Sequence, residues 1–211
     1  MEEELAEATP IEPYEVQELR QSNRLSLKTF ELVCERSLLR FPNGVLTYPQ
    51  FIDFVRGETG IDLRSGHLLD RLFDDPRHSP IPLPLALTAL QLAVRDSPEE
   101  RARALFRIRI NQDPSREPSM RGQLSSDGVQ ALVADLQRSC QLPVEKQVTE
   151  TGVRYPYRTH RRKTPADMVA KARTRLSPPN QGDSFTEEEV LDMLFGPEIC
   201  VWGECYRGGS D

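Results

Sequence analysis

Histidine, tryptophan and cysteine are scarce in this chain, with three, one and four copies in 211 residues. That scarcity narrows the available chemistry. Cys34, Cys140, Cys200 and Cys205 fall at no paired metal-ligand spacing, and only His67, His78 and His160 could supplement them. Scattered cysteines of this kind read as reduced thiols, although Cys200 and Cys205 are near enough in sequence to pair or to share a metal. No glycine-rich phosphate loop, nucleophile elbow or paired-histidine metal motif occurs. Three dispersed histidines are a poor basis for Cys-His or general acid-base catalysis, so the chain reads as a non-enzyme.

Long apolar runs are missing as well. The longest nearly apolar stretch, Ile81 to Val94, is broken by Pro82, Pro84, Thr88 and Gln91 and is too short to span a bilayer. Met1 precedes Glu2, Glu3 and Glu4, unlike the basic start of a secretory signal or the Arg-rich start of a transit peptide. Glu2 also stands where N-myristoylation needs glycine. A cytoplasmic protein with no membrane partner is expected. Excess positive charge is absent too: the formal charge of -6 works against a nucleic-acid partner, which needs a clustered positive field.

What the chain does have is punctuation. Seventeen prolines against twelve glycines imply many element boundaries and stiff loops. Between them, amphipathic helix signals recur in pairs. Ser26 to Arg40 places Leu27, Phe30, Leu32, Val33, Leu38 and Phe41 on a broad apolar face that stops at Pro42, Asn43 and Gly44. Thr47 and Gln50 stand at capping-box spacing, and Phe51, Phe54 and Val55 form the stripe of a helix ending at Gly57. Leu63 to Phe73 and Pro84 to Val94 repeat the pattern. Ser97, Pro98, Glu99 and Glu100 combine an N-cap, a proline at the first helical position and carboxylates at the positive end of the dipole. Further helices are predicted through Val129 to Leu136 and from Thr164 to Leu176. The last runs from Thr186, capped with Glu189, to Gly196-Pro197. No period-2 strand is evident. The predicted fold is all-α, with about eight helices in four helix-loop-helix pairs.

The apolar framework of these pairs resembles the EF-hand superfamily. In that family an apolar residue at the eighth loop position pairs the two loops of a lobe through a very short strand contact. An aromatic precedes the loop and an apolar residue follows it. Leu39 to Gln50 places Gly44 at position six, Leu46 at position eight and Phe51 just after. Asp74 to Leu85 follows Phe73 and places Ile81 at position eight. Phe106 precedes an expanded third loop in which Gly122 and Leu124 take positions six and eight. Pro178 to Glu189 places Phe185 at position eight and Val190 after it. The resemblance covers residues 14 to 197. It implies an acidic tail at 1–13, an N-terminal lobe at 14–95, a C-terminal lobe at 96–197 with a polar insertion at 143–163, and a tail at 198–211. Leu46 with Ile81 and Leu124 with Phe185 are the implied inter-loop couples. Phe41 to Thr47, Leu68 to Asp74, Ser97 to Glu100 and Leu194 to Pro197 are similar to segments of the neuronal-sensor, calcineurin B and calaxin-like branch.

Calcium chemistry does not follow from the resemblance. The ion takes six to eight oxygens, normally from side chains at positions one, three and five and a bidentate Glu at twelve. The first loop offers Leu39, Phe41, Asn43 and Gln50, and the second Asp74, Pro76, His78 and Leu85. The third is longer by about ten residues than the twelve-residue loop and closes on Gly128. The fourth keeps Asn180, Thr186 and Glu189, but Pro178 and Gly182 occupy ligand positions, and Thr186 with Glu189 also reads as a capping box. No cofactor is expected, calcium included. Asn180, Thr186 and Glu189 are the remaining metal candidates.

Two other constellations stand out. Arg154, Arg158, Arg161, Arg162 and Lys163, interleaved with Tyr155 and Tyr157, form a basic patch. It reads first as a solvated loop, and alternatively as a site for an acidic tail or nucleic acid, or as a segment folding back on the acidic N-terminus. The stripe carrying Leu87, Leu90 and Val94 reads as core. In relatives it lies where a groove takes a partner helix, and Trp202 would fill that groove in cis or anchor the partner. The resulting expectation is a calcium-independent adaptor for an amphipathic helix or coiled coil in a cytoskeletal or ciliary dynein-docking assembly. A residual calcium sensor using the fourth loop is the alternative.

Overall fold

The computed structural model describes residues 10–11, 25–61, 80–112, 122–139, 147–149, 152–154, 163–176 and 182–203. Seven α-helices lie within them: α1 Leu27–Arg40, α2 Tyr48–Thr59, α3 Leu83–Leu90, α4 Pro98–Gln112, α5 Ser126–Arg138, α6 Pro165–Arg173 and α7 Glu187–Phe195. The further helix expected at Leu63 to Phe73 lies outside the described residues.

Local chemistry fixes most helix starts. Ser26, Thr47, Ser125, Thr164 and Thr186 each accept a hydrogen bond from the backbone N–H three residues on, which satisfies a donor the first turn leaves free. Ser97 does the same for Glu100, at 3.2 Å. Thr47 with Gln50 and Thr186 with Glu189 form full capping boxes. One predicted stop moves: α2 continues through Gly57 and ends at Gly60, whose φ of 70° is the left-handed conformation glycine adopts without a Cβ penalty.

Two short antiparallel contacts join loops that are distant in sequence. Strand β2 Val45–Leu46 pairs with β3 Ile81–Pro82, with Leu46 opposite Ile81. Strand β4 Gln123–Ser125 pairs with β7 Ser184–Thr186, with Leu124 opposite Phe185. All four facing residues are buried. The hydrogen bonding is pseudo-equivalent in the two contacts. Leu83 N–H donates to Gly44 O at 2.8 Å, and Ser126 N–H donates to Asp183 O at 2.8 Å. Gly44 and Gly122, the sixth positions of the first and third predicted loops, have φ of 69° and 85°. Asp183, at the sixth position of the fourth, does not share this left-handed backbone.

The predicted absence of strands needs a second correction. Strands β5 Gln147–Thr149 and β6 Gly152–Arg154 form an antiparallel hairpin within the polar insertion, with Val148 opposite Val153. Strand β1 Pro10–Ile11 joins it in parallel, Ile11 opposite Arg154, so the expected tail reaches a three-stranded sheet. The physical reason is local: β-branched Val148, Thr149 and Val153 suit a pleated backbone.

The described residues of both halves contribute to one contiguous core. Phe30, Phe51, Leu87 and Leu90 belong to the same buried cluster as Leu105, Leu132, Phe185 and Phe195. The reason lies in α3, whose Leu83, Leu85, Ala86, Leu87, Ala89 and Leu90 are all buried. A helix apolar all round must be covered on every side, and α3 packs on both α4 and α5, while α4 packs on α1 and α7.

Candidate functional site

Among the described residues, the ligand candidates of the predicted loops serve their own helix starts. Glu189, the best remaining ligand, is committed to its own helix start: its Oε2 accepts from Thr186 N–H at 2.7 Å and lies 3.0 Å from Thr186 Oγ1. Gln50 is used in the same way, its Oε1 accepting from Thr47 N–H at 2.8 Å. Gly128, the closing position of the third loop, leaves no room for a side chain, because a Cβ there would lie 2.6 Å from Leu124 Cδ1. Asn180 lies outside the described residues. Among the described residues, no three His, Cys, Asp or Glu side chains gather as a metal-holding group.

The stripe assigned to partner binding does not form an open groove. Leu87, Leu90 and Val94 are fully buried. The chain itself covers this helix, since α4 and α5 pack on α3. Trp202 is likewise docked in cis, only 4% exposed. Its ring lies 6.0 Å from that of Phe195, and the Arg101 guanidinium stacks 4.5 Å from the Trp202 ring centroid. Of the basic patch, Lys163 is exposed. Arg154 lies in β6 by its backbone, and Arg158, Arg161 and Arg162 fall outside the described residues.

Concavity is found elsewhere. A cleft of about 230 Å³ lies between α1 and α4, with Leu87 of α3 also contributing to its wall. Phe30, Cys34 and Leu38 line it from α1, and Ala104 and Ile108 from α4. Glu31 and Glu35 on one side and Arg107 and Asn111 on the other give it polar borders. Arg107 Nη1 donates to Glu31 Oε1 at 2.8 Å, an exposed pair that couples the two helices weakly. The Cys34 thiol is pushed far above its ordinary value, first by burial and then by Glu31 and Glu35. A thiol held protonated is a poor nucleophile, so Cys34 contributes apolar surface instead of reactivity.

Sequence reasoning placed Phe30 and Leu38 on the apolar face of α1 without bringing that face against α4. The available signal was the breadth of the α1 face. It also included Leu32, which is exposed, and Leu39 is 84% exposed. Comparison with protein-family models, with curated proteins and with solved structures returns no match.

The described surface also contains one buried ion pair. Arg109 of α4 donates to Asp135 of α5 and, at 3.1 Å, to Ala131 O. Burial pushes the Asp135 carboxyl up and the Arg109 guanidinium down, and in each case the partner's charge opposes the shift without overcoming it. The pair therefore sets how α4 meets α5 at an electrostatic cost. Among the described residues, no helix is long and apolar enough to cross a membrane.

Proposed function

We propose that this chain is a calcium-independent helical adaptor on a degenerate EF-hand scaffold, and that the α1–α4 cleft takes the apolar face of a partner's amphipathic helix. The observation that carries the reading is the cleft itself: partly exposed Leu38 and Cys34, backed by the buried side chains Phe30, Leu87, Ala104 and Ile108, between bordering charges. A helix-in-groove contact needs this combination, with apolar anchors seated at helical spacing and polar residues at the edge. The facing couples Leu46–Ile81 and Leu124–Phe185 support the scaffold assignment, as do the left-handed Gly44 and Gly122. Engagement of Gln50 and Glu189 in capping boxes supports independence from calcium. Placement in a cytoskeletal or ciliary assembly is proposed on the resemblance to the calaxin-like branch alone.

Leu38 is partly buried in the cleft, whereas Leu39 points away into solvent. Leu38→Asp should abolish co-purification of the helical partner and Leu39→Asp should preserve it. A partner retained by Leu38→Asp would remove the cleft from the reading. Calorimetric titration should show no calcium site tighter than about 10 micromolar, the range in which sensors work.

A further inference from the structure

The size of the α1–α4 cleft limits what can enter it. Its volume of about 230 Å³ is below the roughly 300–1,000 Å³ of sites that enclose a small-molecule ligand. A space of that size suits one large side chain, the kind of buried anchor that dominates an interface. Phe30, Cys34 and Leu38 follow one another at helical i, i+4 spacing on α1, and Ala104 and Ile108 do so on α4. Rows of this kind are the ridges of a helix surface, and the cleft lies between one from each helix. Leu38 and Cys34 are the partly exposed members, so they are the surface an anchor would cover. Cys34 is a free thiol, whereas Cys200 is held in a disulfide, which corrects the expectation of reduced thiols at Cys200.

The charge at the border is lopsided. Glu31 and Glu35, one turn apart, stand on the α1 side, with Arg107 and Asn111 on the α4 side. Two carboxylates against one guanidinium leave this border with a net negative charge. Arg107 Nη1 donates to Glu31 at 2.8 Å, so the excess lies toward Glu35. Its field reaches into the cleft: burial first, and then both carboxylates, push the Cys34 thiol above its ordinary value. The α1 wall is therefore electronegative beside the surface that the anchor covers.

We propose that the cleft selects a partner helix carrying a large apolar anchor and, one helical turn from it, a lysine or arginine that pairs with Glu35. This inference rests on the adaptor reading and adds the partner's chemistry to it. A cation one turn from the anchor lies on the same face of the partner helix, so both reach the cleft together. An acidic residue in that place meets Glu35 with like charge and is disfavoured. Ion pairs at an exposed border are individually weak, so Glu35 contributes choice of partner more than affinity.

The test titrates the full-length protein, by fluorescence anisotropy, against two labelled amphipathic peptides of leucine, alanine and glutamine. One carries lysine one turn either side of its central leucine, and its twin carries glutamate there. The lysine peptide should bind about three- to ten-fold more tightly, as attraction of an exposed pair replaces a like-charge repulsion of similar size. That preference should vanish near 1 M salt, where screening acts over about 3 Å. Glu35 is exposed, so Glu35→Lys leaves the core untouched, and it should reverse the ranking of the peptides. Leu39→Asp should keep the parent's ranking. Equal binding of the two peptides by the parent protein would overturn the charge selection and leave an apolar groove. A preference for lysine that survives Glu35→Lys would overturn it too, by placing the cation elsewhere. If neither peptide binds, an anchor with a neighbouring cation is not what the cleft recognises, and the inference fails. Co-purification with Leu38→Asp then decides separately whether the cleft holds a helix.

Discussion

At the residue scale, the proposed independence from calcium has a steric test as well as a missing-ligand one. Gly128 stands where a bidentate carboxylate would be needed, and a Cβ there collides with both Leu124 Cδ1, at 2.6 Å, and Cγ, at 2.8 Å. Leu124 cannot move aside freely, because it is buried opposite Phe185. Gly128→Ala should therefore destabilise the fold by about 1–3 kcal/mol in urea titrations, the cost of forcing volume into a packed site. Gly128→Glu should do the same without creating a calcium site in calorimetry. A second residue-scale prediction concerns Arg109 and Asp135. Asp135→Ala leaves a buried guanidinium alone and should cost about 3–5 kcal/mol, whereas Arg109→Met with Asp135→Leu should be neutral or stabilising. The pH dependence has a definite sign. The Asp135 carboxyl titrates higher in the folded chain than in the unfolded one. The folded state therefore binds more protons between the two values, and this residue's contribution to stability falls as pH rises through that window. The double variant should lose that component of the stability profile.

At the element scale, the two capping boxes provide a direct separation of structural from ion-binding roles. Thr186 and Glu189 satisfy each other's backbone donors at the start of α7, as Thr47 and Gln50 do for α2. Thr186→Ala should cost about 1 kcal/mol of stability by denaturant titration, in calcium and in chelator alike. A cost present only in calcium would mean that Glu189 binds the ion. These elements were legible in the chain because a cap is an i, i+3 relation between specific residue types, needing no knowledge of the rest of the fold. Leu46, Ile81, Leu124 and Phe185 were picked out only through the resemblance to the EF-hand framework, which implies an apolar residue at the eighth position of each loop. The hairpin at 147–154 was not legible, because three-residue strands carry too few alternations to show a period. Nor did the sequence distinguish Gly57, retained inside α2, from Gly60, which terminates it: both glycines follow the Phe51, Phe54 and Val55 stripe within a few residues, and either could close the helix.

At the scale of the whole molecule, the question is what joins the described residues of both halves into one core. The answer lies in α3 and in the segment after α7. An eight-residue helix whose leucine and alanine side chains, Leu83, Leu85, Ala86, Leu87, Ala89 and Leu90, are all buried needs cover from both halves. Val201 and Trp202 add C-terminal apolar surface to the same cluster. Neither fact is readable from periodicity, since an apolar run shows that a segment is covered without showing what covers it. The consequence is cooperative unfolding. Leu46 belongs to the β2–β3 contact, in the opposite half of the sequence from Trp202, yet both sit in one buried cluster. Leu46→Ala should cost about 2–5 kcal/mol, as other buried leucine truncations do. The denaturant midpoint from Trp202 fluorescence should fall together with that from far-UV circular dichroism. Coincident midpoints are the signature of a single transition, in which damage at one end is felt throughout. Two independent lobes would instead leave the Trp202 transition unmoved by Leu46→Ala and split the dichroism curve into two steps.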